Sequence, residues 1–285
     1  FGAHVNAYTS FDETVYMLEV PTDRDTLLDR GVVALSDFAG RATLSETEID
    51  KERGVVLEEW RLGRGAGERI QRKQLPLVLR GSRYADRLPI GKPEILQKGR
   101  SSRLRDFYGD WYTPERMAVI AVGDVEPARM DSLIHRHFGD LPARPKALPT
   151  PIFEVPPHQE TLVSIATDKE ATNSTASVYF KHPHRGRRTV ADFRRGLADE
   201  LFSTMLNARL NEIAHRGDSP FLGAAAFAFP LGRTLDVYVL GANVADGGIE
   251  KGIAAVLQEV ARVRQHGFLD RELGRAKDAL RAQNE

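Results

Sequence analysis

Apolar residues recur at helical spacing through much of the first half of the chain. From Asp25 to Gly40 they fall at Leu27, Leu28, Val32, Leu35 and Phe38, near one face of an amphipathic helix. A second helix is predicted from Glu46 to about Leu62, or on past the glycines that follow it. Ser45 precedes it as a capping hydroxyl, and Glu48 stands where a capping box needs its acid. Further helices are predicted over Ser101–Trp111, closed by Tyr112-Thr113-Pro114, and over Val125–Phe138, running into Gly139. Between these two, Met117–Val122 is a short apolar run of strand length stopped by Gly123-Asp124. Near the start, Thr14–Leu18 alternates as a strand does.

The stretch Leu141–His158 is rich in proline and has no apolar periodicity, which marks an extended connector. It divides the chain into a first domain over 1–141, a linker over 142–158 and a second domain over 159–285. After it, Glu160–Ala166 and Thr175–Lys181 alternate like strands, and Val190–Arg216 is a long helical stretch. Leu222–Phe229 and Thr234–Gly241 read as a strand pair joined through Pro230–Arg233. A helix over Gly248–Gln265 is ended by Gly267, and another begins at Asp270.

The last elements repeat the order of the first: a strand pair, a helix, a short break, a second helix. Laying Leu44–Arg61 on Phe268–Glu285 sets Glu48 opposite Glu272, Glu52 opposite Ala276 and Glu59 opposite Gln283. In this register only the first copy keeps both later acids; the second has an alanine and an amide in their places.

Composition narrows the function classes. The 285 residues are ample for a buried core and for about two domains. Lys plus Arg and Asp plus Glu balance at 40 each, so nothing in the net charge favours nucleic acid or an anionic membrane surface. There is no cysteine, which removes disulfide and thiolate chemistry and leaves cytoplasm and periplasm equally open. No apolar run approaches a membrane span.

The most informative segments are Asn6–Tyr16 and Ile49–Arg61. The second carries Glu52 and Glu59, about 20° apart around a helix at 3.6 residues per turn, so both carboxylates share a face. By spacing alone Glu59 is a solvated helix glutamate. The wording around it, Glu52-Arg53-Gly54-Val55-Val56-Leu57-Glu58-Glu59-Trp60, together with Asn6–Tyr16, resembles the pitrilysin/insulinase family of zinc metallopeptidases. Arg83–Leu96 resembles the long bacterial members, which are commonly exported to the periplasm.

That resemblance implies an α/β fold of α+β type: duplicated domains of mainly antiparallel sheet backed by helices, as in mitochondrial processing peptidase. It implies zinc as cofactor, with Glu59 as a metal ligand, Glu52 supporting it from the outer shell, and Asn6 and Ala7 in a substrate-binding edge strand. Glu58 points elsewhere and reads as surface. The family's inverted His-x-x-Glu-His motif, which supplies two ligands and the catalytic glutamate, does not occur in these residues. The expectation is therefore a segment that begins after the motif, has no catalytic residue of its own and ends within its second domain. The implied partners are a peptide or unfolded protein substrate and a second homologous half or subunit. A different class of function is open on the same fold: a non-catalytic subunit that binds peptides or supports assembly.

The histidines offer no alternative centre. His135 and His137 diverge on a helix, and His182 and His184 share a strand face without further partners. No phosphate-cradling glycine fingerprint and no Gly-x-Ser-x-Gly elbow is present.

Overall fold

The computed structural model describes residues 4–63, 65–142 and 148–284. In chain order the elements are β1 (His4–Thr9), β2 (Thr14–Glu19), α1 (Asp25–Gly40), α2 (Glu46–Leu62), α3 (Ala66–Val78), α4 (Pro93–Lys98), α5 (Ser101–Trp111) and α6 (Pro127–Phe138). Then follow β3 (Ser174–Pro183), α7 (Val190–Ala214), β4 (Gly223–Gly232), β5 (Leu235–Val244), α8 (Ile249–His266) and α9 (Asp270–Asn284). All strand pairing is antiparallel: β1 with β2, and a three-stranded sheet in the order β3-β5-β4. The α+β class expected from the sequence is what the chain adopts.

Two compact units divide these elements. The first comprises Phe1–Arg64 and Arg87–Pro151, the second Gly65–Asp86 and Ile152–Glu285. The change at Pro151 falls inside the proline-rich stretch, of which residues 143–147 lie outside the described residues. One segment departs from the contiguous first domain read from the sequence: Gly65–Asp86 packs in the second unit. Its Leu79 is fully buried there, and Tyr84 sets its ring edge-on to Phe153 at 6.0 Å.

In the first unit, Val32 of α1 packs with Met130 and Leu133 of α6, and Leu28, Ile134 and Phe138 close around them. Gly31 lets α1 approach β2, since a Cβ there would stand 3.2 Å from a methyl of Val20. In the second unit, α7 and α8 cover one face of the sheet. Leu206 and Leu210 meet Ala226 of β4, Leu240, Ala242 and Val244 of β5, and Val256 and Val263 of α8. Gly252 of α8 again faces a valine at the end of the preceding strand, Val244. Hairpin, helix, helix thus recurs as β1-β2-α1-α2 and β4-β5-α8-α9, with a small residue admitting the first helix to the second strand each time.

Three local expectations are corrected. Met117–Val122 and Glu160–Ala166 form no strand among the described residues. One is an apolar run of strand length and the other alternates as a strand does, but neither has a partner strand among the described residues, and Ile120, Val122, Val163 and Ile165 are exposed. The capping box of α2 is half made: Ser45 accepts from the Glu48 amide at 3.4 Å, while the Glu48 carboxylate turns to Lys51 at 2.7 Å. A complete box closes α7 instead, between Thr189 and Asp192.

Candidate functional site

α2 has one supported face and one open face. Ile49 is buried on the supported side. Arg53 reaches out from it to donate to the Leu96 carbonyl at 2.6 Å and to the Gly99 carbonyl, satisfying acceptors at the end of α4. Ser101, at the start of α5, donates to Glu46 at 3.2 Å, and Arg105 holds the Leu44 carbonyl at 3.1 Å. The turn from α1 into α2 is closed by Tyr108, whose hydroxyl donates to the Phe38 carbonyl at 2.8 Å and accepts from the Ala42 amide at 3.2 Å.

The same aromatic group ties in the hairpin. Tyr16 of β2 stacks on Phe38, with centroids 5.5 Å apart, and its hydroxyl lies 2.9 Å from that of Tyr112. Burial and the Tyr112 hydroxyl push the Tyr16 phenol well above its ordinary pKa, so it stays a neutral phenol. Sequence reading missed this cluster. Its only trace is the aromatic spacing of Tyr108 and Tyr112, one helical turn apart.

The open face of α2 is a shallow, solvent-open surface formed by Lys51, Gly54, Val55, Glu58, Glu59, Leu62 and Gly63. Glu59 therefore belongs to it and Glu52, nearer the start of the helix, does not. Leu62, 79% exposed, and Val55 flank Glu59 with apolar surface. Charge pairing separates the acids of this helix sharply. Glu48 pairs with Lys51, Asp50 with Arg53 at 2.9 Å, and Glu58 with Arg61 at 2.8 Å. Among the described residues Glu52 and Glu59 have neither an ion pair nor a side-chain hydrogen bond. These are the two acids that the resemblance singles out.

In β1, Asn6 stands opposite Met17 and Ala7 opposite Tyr16. The Ala7 amide is met by the Asn6 side-chain oxygen at 2.9 Å, a bond within the strand itself. β4 is treated differently: Asn207 of α7 reaches across to Ala226, accepting its amide hydrogen at 2.7 Å and donating to its carbonyl at 2.9 Å. A helix side chain thus blocks the β4 edge, whereas β1 shields its edge with a side chain that can swing away.

No group of three or more His, Asp or Glu side chains placed to hold a metal occurs among the described residues. Glu59 offers a zinc-compatible carboxylate, but one carboxylate is not the three protein ligands of a catalytic zinc site. His184 is bound to Asp236 at 2.8 Å, which orients its ring without creating a centre. No described helix is long and apolar enough to cross a membrane.

A hairpin and a glutamate-bearing helix held together by a tyrosine cluster, followed by a helix-backed antiparallel sheet, define the class of protein. The family profile described as "Peptidase M16 inactive domain" matches residues 101–280, and "Insulinase (Peptidase family M16)" matches residues 1–64. The chain belongs to the M16 peptidase family, the pitrilysin/insulinase group. It is 35% identical over 274 residues to an Arabidopsis thaliana protein named "Zinc protease PQQL-like", covering 96% of this chain and 26% of that protein. It is 30% identical over 278 residues to the Escherichia coli K12 "Probable zinc protease PqqL", covering 97% and 30%. The crystal structure of the first half of the periplasmic protease PqqL from E. coli superposes with a TM-score of 0.84 at 30% identity, over 98% of this chain and 60% of that one. The chain thus spans between 26% and 30% of the length of these two curated relatives.

Proposed function

We propose that this chain is part of a zinc-dependent endopeptidase that hydrolyses peptides or unfolded proteins, in which Glu59 supplies one metal-ligating carboxylate. The observation that carries this reading is the pairing pattern of α2: Glu48, Asp50 and Glu58 are each matched to a base and Glu46 accepts from Ser101, while Glu52 and Glu59 have neither an ion pair nor a side-chain hydrogen bond among the described residues. An unpaired carboxylate between Val55 and Leu62 has little to do for stability and is suited to a cation. Glu52 has the role of orienting that site from one heptad away. Zinc, when bound, polarises the scissile carbonyl and activates water.

The described residues act as binding and positioning elements. The β1 edge at Asn6 and Ala7 accepts the substrate as an added strand through main-chain hydrogen bonds, with the Asn6 side chain yielding the Ala7 amide to it. Residues 101–280, which take in most of the second unit together with α5 and α6 of the first, match a family domain described as inactive, which agrees with a supporting role. A second homologous half completes the enzyme, and the compartment is the periplasm, as stated for the E. coli relative of known structure.

The non-catalytic subunit reading has one observation on its side, the lack of a three-ligand group among the described residues. The complete protein distinguishes the two. Purified without added metal and analysed by mass spectrometry for zinc, it should hold about one zinc per catalytic site and cleave an unfolded polypeptide until a chelator is added. Peptide binding without zinc and without cleavage would establish the subunit reading.

A further inference from the structure

Gly65–Asp86 is attached to the second unit by two kinds of chemistry. Its C-terminal end is held by burial: Leu79 is fully buried, Tyr84 lies against Phe153, and Gly232 admits the Tyr84 ring where a Cβ would come to 3.1 Å. Its N-terminal part, α3, contains no buried residue, and its N-cap Gly65 offers no side chain to satisfy the first amides. Polar contacts tie its first turns to the 167–170 turn. Arg69 forks onto Asp168, with Nε to Oδ2 and Nη2 to Oδ1 both at 2.7 Å, and Nη2 also reaches Glu170 at 2.6 Å. Lys73 donates to the Thr167 carbonyl at 3.1 Å.

The receiving turn is set for this fork. The Glu170 amide donates to Asp168 Oδ1 at 3.0 Å, and the Ala171 amide closes on the Asp168 carbonyl at 3.1 Å. The Arg69 guanidinium holds the Asp168 carboxyl well below the usual carboxylate range. Between the ionic part and the buried part stands Pro76, inside the helix. It removes one intrahelical hydrogen bond and crowds the preceding turn, making a natural bending point.

We infer that α3 is a releasable strap: its N-terminal part unlatches from the 167–170 turn by bending at Pro76, while Leu79–Tyr84 stays anchored. Because α3 follows α2 in the chain, release moves the first fixed point beyond the Glu59 helix from Arg69 to Leu79. This inference does not depend on the zinc assignment.

Hydrogen exchange followed by mass spectrometry on the full chain tests it, comparing peptides from 66–75 with peptides from 79–84. Raising salt from about 0.1 M to about 1 M shortens the screening length from about 10 Å to about 3 Å and should weaken the latch. The expected result is a roughly tenfold loss of protection over 66–75 at high salt and in Asp168→Asn, with 79–84 unchanged, since such openings are local. The double variant Arg69→Asp with Asp168→Arg should restore part of the protection. Equal protection of the two segments at both salt levels, or their loss together, would overturn the inference, and the salt comparison on the unmodified chain stands even if a variant fails to fold.

Discussion

Arg209 grips Glu272 with two nitrogens, Nε to Oε1 at 2.6 Å and Nη2 to Oε2 at 2.8 Å, while its Nη1 reaches Glu259 at 3.1 Å. Glu259 and Glu272 are almost buried, so one guanidinium from α7 serves an acid from α8 and another from α9. It also donates to the Gly267 carbonyl at the break between those helices and lies 4.8 Å over the Phe268 ring. Arg209→Met would leave the nearly buried Glu272 without its ion-pair partner and Glu259 with only the exposed Arg262, 3.4 Å away. Chemical denaturation should show a loss of roughly 3–5 kcal/mol. Arg209→Lys should recover only part of it, because an ammonium cannot make the fork. A loss below about 1 kcal/mol in Arg209→Met would place the pair among surface bridges instead.

The same contact sets a pH dependence. Hydrogen bonding to Arg209 lowers the Glu272 pKa from 4.5 to about 2 in the folded chain. Its charged form therefore favours folding: the stabilisation is whole above 4.5 and is lost as pH falls toward 2. Unfolding free energies measured downward from neutral pH should fall less steeply over that window in Glu272→Gln than in the unmodified chain. Parallel curves would contradict the assignment.

Two helical glycines should respond oppositely to alanine. At Gly252 a Cβ would overlap the Val244 side chain, so Gly252→Ala should destabilise by roughly 1–3 kcal/mol despite alanine's better helix propensity. At Gly196 in α7 nothing stands within 4 Å of the added atom, and Gly196→Ala should stabilise by roughly 0.5–1 kcal/mol. Thermal melts of the two variants should move in opposite directions.

Helices were the legible part of this sequence. α1, α2 and α5 begin and end where predicted, and α7 and α8 differ only at their ends, because caps, glycines and prolines are local signals and a helix satisfies its own backbone. Strands do not: the apolar run of Met117–Val122 and the alternation of Glu160–Ala166 are real, but strand formation needs a neighbour that no local pattern supplies. The membership of Gly65–Asp86 was hidden for a related reason, since Arg69 meets Asp168 across 99 positions of sequence. Glu59 was legible only through its resemblance to a family, because an exposed glutamate on a charged helix carries no signal of its own. The sequence set Glu58 apart by direction on the helix, and the structure adds a second difference, that Glu58 is paired to Arg61 and Glu59 is not.

The most direct test of the metal assignment is the zinc content of three variants of the complete protein, Glu59→Gln, Glu52→Gln and Glu58→Gln, measured beside peptide cleavage. Glu59→Gln should lose most of its zinc and its activity. Glu52→Gln should lose less, on the order of 10- to 100-fold in metal affinity or activity, as expected of a group that orients a ligand. Glu58→Gln should match the unmodified protein, its only loss being an exposed ion pair. Full zinc occupancy and full activity in Glu59→Gln, or a loss confined to Glu58→Gln, would contradict the account.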